Sequence, residues 1–104
     1  MFLTEFEWDE SKRLSNIDKH GIDFEDAIEV FLSPLIVAAR SMGDEERHIA
    51  VGTAAGHVIA VVYTMRSGRC RVISARKART NERKAYHAQV LGRHSSGTNG
   101  LEQG

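Results

Sequence analysis

The residues in this sequence best able to do chemistry are cations. Arg66, Arg69, Arg71, Arg76, Lys77, Arg79, Arg83 and Lys84 fall within 19 residues, interrupted by a single acid, Glu82. The rest of the inventory points nowhere else. The five histidines, His20, His48, His57, His87 and His94, show no paired ligand spacing and no neighbouring cysteine, so no metal site is expected. There is no GxxxxGKS or GxxxxGKT loop, no GxGxxG turn and no GxSxG elbow for a nucleophilic serine. Cys70 opens an apolar run and is expected to pack as a small apolar residue, not to act as a nucleophile.

Arginine at this density suits phosphate. Its guanidinium forks onto two phosphate oxygens and stays protonated, so it can hold a phosphate while negative charge builds on it. Metal-free cleavage of RNA needs such a cation. It also needs a group to take the proton from the ribose 2′-hydroxyl and a donor for the departing 5′ oxygen. The formal net charge is zero, yet residues 1–46 hold 12 of the 14 acids with four bases, and residues 47–104 hold ten bases with two acids. That split suits a nucleic-acid surface or two complementary partners. The competing expectation is that the halves interleave and neutralise each other as solvated ion pairs.

A chain of 104 residues makes one domain with a modest core and no room for a large cofactor cavity, and no cofactor is expected. The longest apolar run, Val58–Tyr63, is far short of the roughly 20 residues of a membrane helix. The start, MFLTEFEWDE, has no basic leader, and a lone cysteine suits a reducing compartment. A cytoplasmic protein without a membrane partner is the expectation.

The elements that must position the cations can be read from pattern. Phe2, Phe6 and Trp8 alternate in part with acids, as in a short strand. Asp9 caps a helix to about His20, ended by Gly21. Asp23 caps a second helix with Phe24, Ala27, Ile28 and Phe31 on one face, stopped at Ser33-Pro34. Strands then follow at Leu35–Arg40, Arg47–Val51, Val58–Met65 and Cys70–Lys77. They are separated by turns at Ser41–Asp44, Gly52–Gly56 and Arg66–Arg69, and the nearly continuous third run reads as central. Thr80 caps a last helix over about Asn81–Leu91. The expected architecture is α+β: a small antiparallel sheet flanked by two N-terminal helices and one C-terminal helix, in a domain over residues 1–92 with a flexible tail over 93–104. Strand parity puts Arg71 and Lys77 on one side and Arg76 on the other, unless a bulge, expected near Ala78, re-aims one of them.

These residues also form a pattern. Phe6-Glu-Trp-Asp9, Asn16-x-x-Lys19-His20-Gly21-Ile22-x-Phe24-x-x-Ala27, Glu46-Arg47 before Gly52, Tyr63-Thr64, Arg71-Val-Ile-Ser74-Ala75-Arg76-Lys77-Ala78, and Glu82-Arg83 before Tyr86 resemble, in order, the BrnT family of type II toxin–antitoxin systems. The resemblance spans about residues 6–87. It implies a RelE-like fold and a metal-independent endoribonuclease that cleaves cellular RNA and arrests translation. It also implies a BrnA-like ribbon-helix-helix antitoxin that sequesters the toxin, with operator DNA bound only through the complex of the two.

Carried onto this sequence, the resemblance implies a catalytic set of Lys19, His20, Arg66, Arg76 and Arg83. Arg76 and Arg83 would be phosphate ligands, and either Lys19 or His20 the proton-transfer group. The resemblance implies RNA contacts at Arg47 and Lys77 with Glu82 and Tyr86 as secondary members of the site, and Arg79 and Lys84 are expected either to bind RNA with them or to be solvated. Several have structural alternatives: Lys19 and His20 suit the negative end of a helix dipole, and Arg47 can pair with Glu45 or Glu46. Trp8 and the phenylalanines of the second helix are expected in the core. Two other functions compete with a ribonuclease: a non-catalytic basic module that holds an antitoxin or RNA, and a co-repressor.

Overall fold

The protein is described by a computed structural model over residues 5–32, 36–43 and 45–98. In chain order the elements are β1 (Glu5–Glu7), α1 (Glu10–His20), α2 (Phe24–Ala27), a 3₁₀ helix (Ile28–Leu32), β2 (Ile36–Met42), β3 (Glu45–Ala54), β4 (His57–Arg66), β5 (Arg69–Lys77) and α3 (Thr80–Thr98). The expected position of Phe2, the Ser33-Pro34 stop, Leu35, Asp44 and the end of the tail lie outside the described residues. Among the described residues no helix is long and apolar enough to cross a membrane.

Local chemistry explains the first elements. The Asp9 carboxylate accepts the Ser11 N–H at 2.9 Å, and Gly21, at φ 70°, donates its N–H to the Ile17 carbonyl, so α1 starts and stops where its caps stand. Asp23 caps α2 through the Glu25 N–H at 3.0 Å. The second helix does not stay α-helical as expected. Phe24, Ala27 and Val30 are each fully buried, a spacing of three, and the chain tightens at Ile28 to the three-residue period that puts them on one line.

The sheet order is β1-β5-β4-β3-β2, with β4 central. It is mixed, which corrects the expectation of an antiparallel sheet: β1 pairs in parallel with β5 through Glu5–Arg69, Phe6–Cys70 and Glu7–Arg71. Three hairpins carry the chain from β2 back to β5. The helical segment after β1 has already taken it to the far edge, so the first and last strands meet side by side and run the same way. The loop expected over Gly52–Gly56 is shorter, because β3 continues to Ala54 and the turn is Ala55-Gly56 alone. Ala55 and Gly56 have φ of 53° and 80°, and Ser67 and Gly68 have 51° and 79°. Two consecutive left-handed residues make the turn twist that fits a two-residue hairpin.

One face of the sheet carries the main core. Phe24, Ala27 and Val30 pack on Ala50, Ala54, Ile59, Val61, Val72 and Ala75, with Phe6, Trp8 and Phe31 around them. Trp8 meets Phe24 edge-on at 5.9 Å, as expected of core aromatics. Deleting a fully buried ring such as Phe24 costs about 3–5 kcal/mol in general. On the opposite face α3 covers only one end, through Val51, Ala60, Ala78 and Tyr86. The helix begins at Thr80 and runs to Thr98, past its expected end at Leu91. Thr80 is therefore inside the helix and does not cap it. The Glu82 carboxylate accepts the Arg79 N–H at 2.8 Å, the reach-back half of a capping box.

The register between β4 and β5 slips once. Val62 pairs with Ser74 but Tyr63 pairs with Val72, which leaves Ile73 as an extra residue on β5. The bulge therefore lies at Ile73, not near Ala78, and it reverses the parity that regular alternation predicts. Val72 and Ala75 face the core together, so Arg71, Ser74 and Arg76 share the other face and Lys77 turns to the core side, correcting the pairing of Arg71 with Lys77.

Candidate nucleic-acid interface

The face half-covered by α3 is where β5 delivers its arginines. Arg76 lies opposite Ala60, Ser74 opposite Val62, Arg71 opposite Thr64 and Arg69 opposite Arg66, so these four side chains descend one face of β5. At the upper end, Arg47, Ser74, Arg76, Arg79 and Glu82 line a depression of about 250 Å³ floored by Ile49, Val62 and Ile73.

Arg76 is held there by a carboxylate. Its two terminal nitrogens donate to the two oxygens of Glu82 at 2.8 and 2.9 Å, with both side chains less than one-fifth exposed. The Arg76 hydrogen bond, reinforced by the Arg79 N–H, overcomes burial and holds the Glu82 carboxyl down at about 2. Glu82 thus joins the start of α3 to β5 and sets where Arg76 points. Partial burial of such a bidentate pair makes it stiffer than a surface ion pair.

The other arginines are also engaged. Glu45 accepts Arg66 at 3.3 Å and Arg47 at 3.4 Å, and burial, which opposes ionisation, is outweighed there by these two bonds, so the carboxyl sits below its ordinary value. Arg69 reaches Glu5 at 3.1 Å and Glu7 at 3.5 Å, and Arg71 reaches Glu7 at 3.1 Å. The acids of the N-terminal half therefore neutralise part of the basic half, so the interleaving of charges is real for these arginines.

A second depression, of about 390 Å³, adjoins the first. It lies between α1 and β5 and is lined by Ser11, Lys12, Ser15, Asn16, Lys19, His20, Ile73 and Ser74. Ile73 and Ser74, the bulge residues, belong to both. What keeps α1 against β5 is Asn16. Its amide nitrogen donates to the Ala75 and Ile22 carbonyls at 2.8 and 2.9 Å, and its oxygen accepts the Ala75 N–H at 3.1 Å. β1 pairs only as far as Arg71, and Asn16 satisfies the strand edge that β1 leaves open.

Of the sequence-derived candidates, the paired depressions bring together Lys19, His20, Arg47, Arg76, Arg79 and Glu82. Lys77 is turned to the other face, where it lines a depression with His20, Asp23, Asp26 and His57. Arg66 stands at the far end of β4. Arg83 donates to the Ala78 carbonyl at 2.8 Å, anchoring α3 to the strand before it. Lys84 is exposed on α3, and Tyr86 is 5% exposed within the core under that helix. Lys12 and Ser74 line the depressions without having been singled out. Lys12, Asn16 and Lys19 do recur at i, i+4 and i+7, a signal of one helix face. Cys70 is buried, and burial pushes its thiol up to about 11, in keeping with a packing role.

Residues 8–82 match the model of a family described as the ribonuclease toxin BrnT of type II toxin–antitoxin systems. The chain belongs to the BrnT family. The crystal structure of the Brucella abortus ribonuclease toxin BrnT superposes with a TM-score of 0.58 at 36% sequence identity, over 75% of this chain and all of that one. None of the curated proteins matches the sequence. Membership makes the chain a ribonuclease toxin of a type II system, a setting that implies an antitoxin partner. The BrnT match ends at Glu82, so it contains β5 with its bulge and the carboxylate that holds Arg76.

Proposed function

We propose that the protein is a metal-independent endoribonuclease that cleaves cellular RNA in the cytoplasm and so arrests translation, and that the paired depressions around Ser74 are its active site. The observation that carries this reading is the convergence of Arg76, Arg47 and Arg79 on one side of the bulge with Lys19 and His20 on the other. In the proposed reaction the ribose 2′-hydroxyl loses its proton to His20 or Lys19 as its oxygen attacks the adjacent phosphorus. Arg76 and Arg47 hold the phosphate oxygens as charge accumulates, and the P–O5′ bond breaks as the 5′ oxygen takes a proton from solvent water. The products are a 2′,3′-cyclic phosphate and a 5′-hydroxyl, as in RelE-like chemistry. Arg66 extends the cationic face for the flanking strand, and Arg83 acts by seating α3.

The antitoxin in this reading is a BrnA-like ribbon-helix-helix protein that covers the groove, and the pair binds operator DNA together. The test is RNA cleavage in EDTA by the wild-type chain and by Arg76→Ala. Wild type should cleave, and the variant should lose at least about 100-fold in rate, as when a preorganised charge-stabilising group is removed. Induction of the wild type alone should stop growth and Arg76→Ala should relieve it; full toxicity in the variant would refute the site.

A further inference from the structure

We infer that Ser74 and the α1 face carrying Lys12 and Lys19 form a second phosphate subsite, which holds the RNA nucleotide next to the one whose phosphate meets Arg76. The inference rests on the ribonucleolytic reading of the same groove and adds Lys12 and Ser74, to which that reading gives no chemical role, beside Lys19.

The cations of this face differ in whether a carboxylate already holds them. Arg47, Arg66, Arg69, Arg71 and Arg76 are each engaged with a carboxylate, so an incoming phosphate must displace Glu45, Glu5, Glu7 or Glu82 to reach them fully. Lys12 and Lys19 are exposed on one face of α1 and have no ion pair among the described residues. Their charge is available to an anion without any exchange. A lysine ammonium is a compact point charge that suits phosphate from any direction.

The bulge supplies the second half. Regular alternation would put Ser74 and Arg76 on the side opposite Arg71. The extra residue at Ile73 brings them onto one face and leaves Ser74 where the two depressions meet. The Ser74 hydroxyl has no partner among the described residues, and it can donate to a phosphate oxygen or a ribose hydroxyl lying across that junction. Asn16, beside it, has both amide hydrogens committed to carbonyls, so it shapes the wall without offering a donor. Hydroxyls and ammonium groups around one apolar side chain, Ile73, fit a sugar-phosphate unit better than they fit the apolar anchor of a protein.

The test uses the full chain and a fluorescent, uncleavable 2′-O-methyl hexanucleotide, with binding followed by anisotropy across a range of salt, alongside EDTA cleavage of the matching RNA. Lys12→Gln should weaken hexamer binding about five-fold and flatten the plot of log affinity against log salt by about 0.7, the loss of one phosphate contact on a single strand. Ser74→Ala should weaken binding about three-fold and leave that slope unchanged. In cleavage Lys12→Gln should raise KM and keep kcat within two-fold, because Lys12 stands apart from the groups proposed to act on the reacting bond. Both positions lie outside the core, and circular dichroism checks that the variants fold. If both bind like wild type while Arg76→Ala abolishes cleavage, the subsite is wrong and the active-site reading stands. If nothing is cleaved yet hexamer binding still depends on Lys12 and Ser74, the subsite stands and the catalytic reading falls.

Discussion

At the scale of single residues, the most informative group is Glu82, because one carboxylate does two jobs. It accepts both terminal nitrogens of Arg76 and the N–H of Arg79, the residue before α3, and those bonds hold its carboxyl at about 2, against an ordinary value of 4.5. A carboxyl depressed on folding stabilises the native state fully above its unfolded value, and that stability is lost as pH falls through the folded one. The window for Glu82 is therefore from about pH 5 down to about pH 2. The Glu82→Gln variant should be less stable at pH 7 by roughly 2 kcal/mol, since the pair is not wholly screened from water. Its denaturation midpoint in urea should also change less than that of wild type across the acid window. Equal acid sensitivity in the two chains would show that Glu82 is not held by its partners. Arg47 offers a contrast, sharing Glu45 with Arg66 at longer distances, so it remains the more easily recruited cation.

At the scale of elements, the sheet's devices are turns and a bulge, and they differ in how visible they are. The β3–β4 and β4–β5 turns each hold two left-handed residues, and only the second of each is glycine. Ala55, at φ 53°, pays a steric penalty that an asparagine avoids by local hydrogen bonding. Replacing Ala55 by Asn should therefore raise stability by about 0.5–1 kcal/mol, with a matching rise in thermal midpoint and no change in cleavage. A fall in stability would mean that the turn is held by its neighbours, for instance by Glu29, which accepts the Ala55 N–H at 2.9 Å. Ser67-Gly68 was legible as a turn because Arg66-Ser-Gly-Arg69 separates two apolar runs. The bulge was not. Arg71-Val-Ile-Ser-Ala-Arg76 breaks alternation at the apolar pair Val72-Ile73, but only the pairing with β4, where Val62 meets Ser74 and Tyr63 meets Val72, shows that Ile73 is the extra residue.

At the scale of the whole molecule, the chain's neutrality conceals a division of labour among its ion pairs. Glu5 and Glu7 lie on β1 directly beside Arg69 and Arg71, and they reduce the positive potential at the lower end of the face. The Glu5→Gln, Glu7→Gln double variant should bind single-stranded RNA more tightly and with a steeper salt dependence, since two more arginines become free to displace counterions. Unchanged affinity would place the RNA wholly at the upper end. Composition and local pattern by themselves determined the class of the fold, both ends of α1, the central place of β4, the packing role of Cys70 and Phe24, and the concentration of cations after Arg66. These are properties of spacing, caps and burial, which act over a few residues. The residues that resemble a toxin family pointed to the same family that the match over residues 8–82 establishes. Only the tertiary structure decided that β1 lies parallel to β5, that Asn16 closes the open strand edge 59 residues away, and which arginines are already neutralised. It also decided that Lys77 and Arg76 face opposite ways from where alternation put them. The physical reason is the same in each case: register, strand order and ion pairing depend on which distant segment lies alongside, and a one-residue slip in that pairing turns every side chain beyond it to the other face.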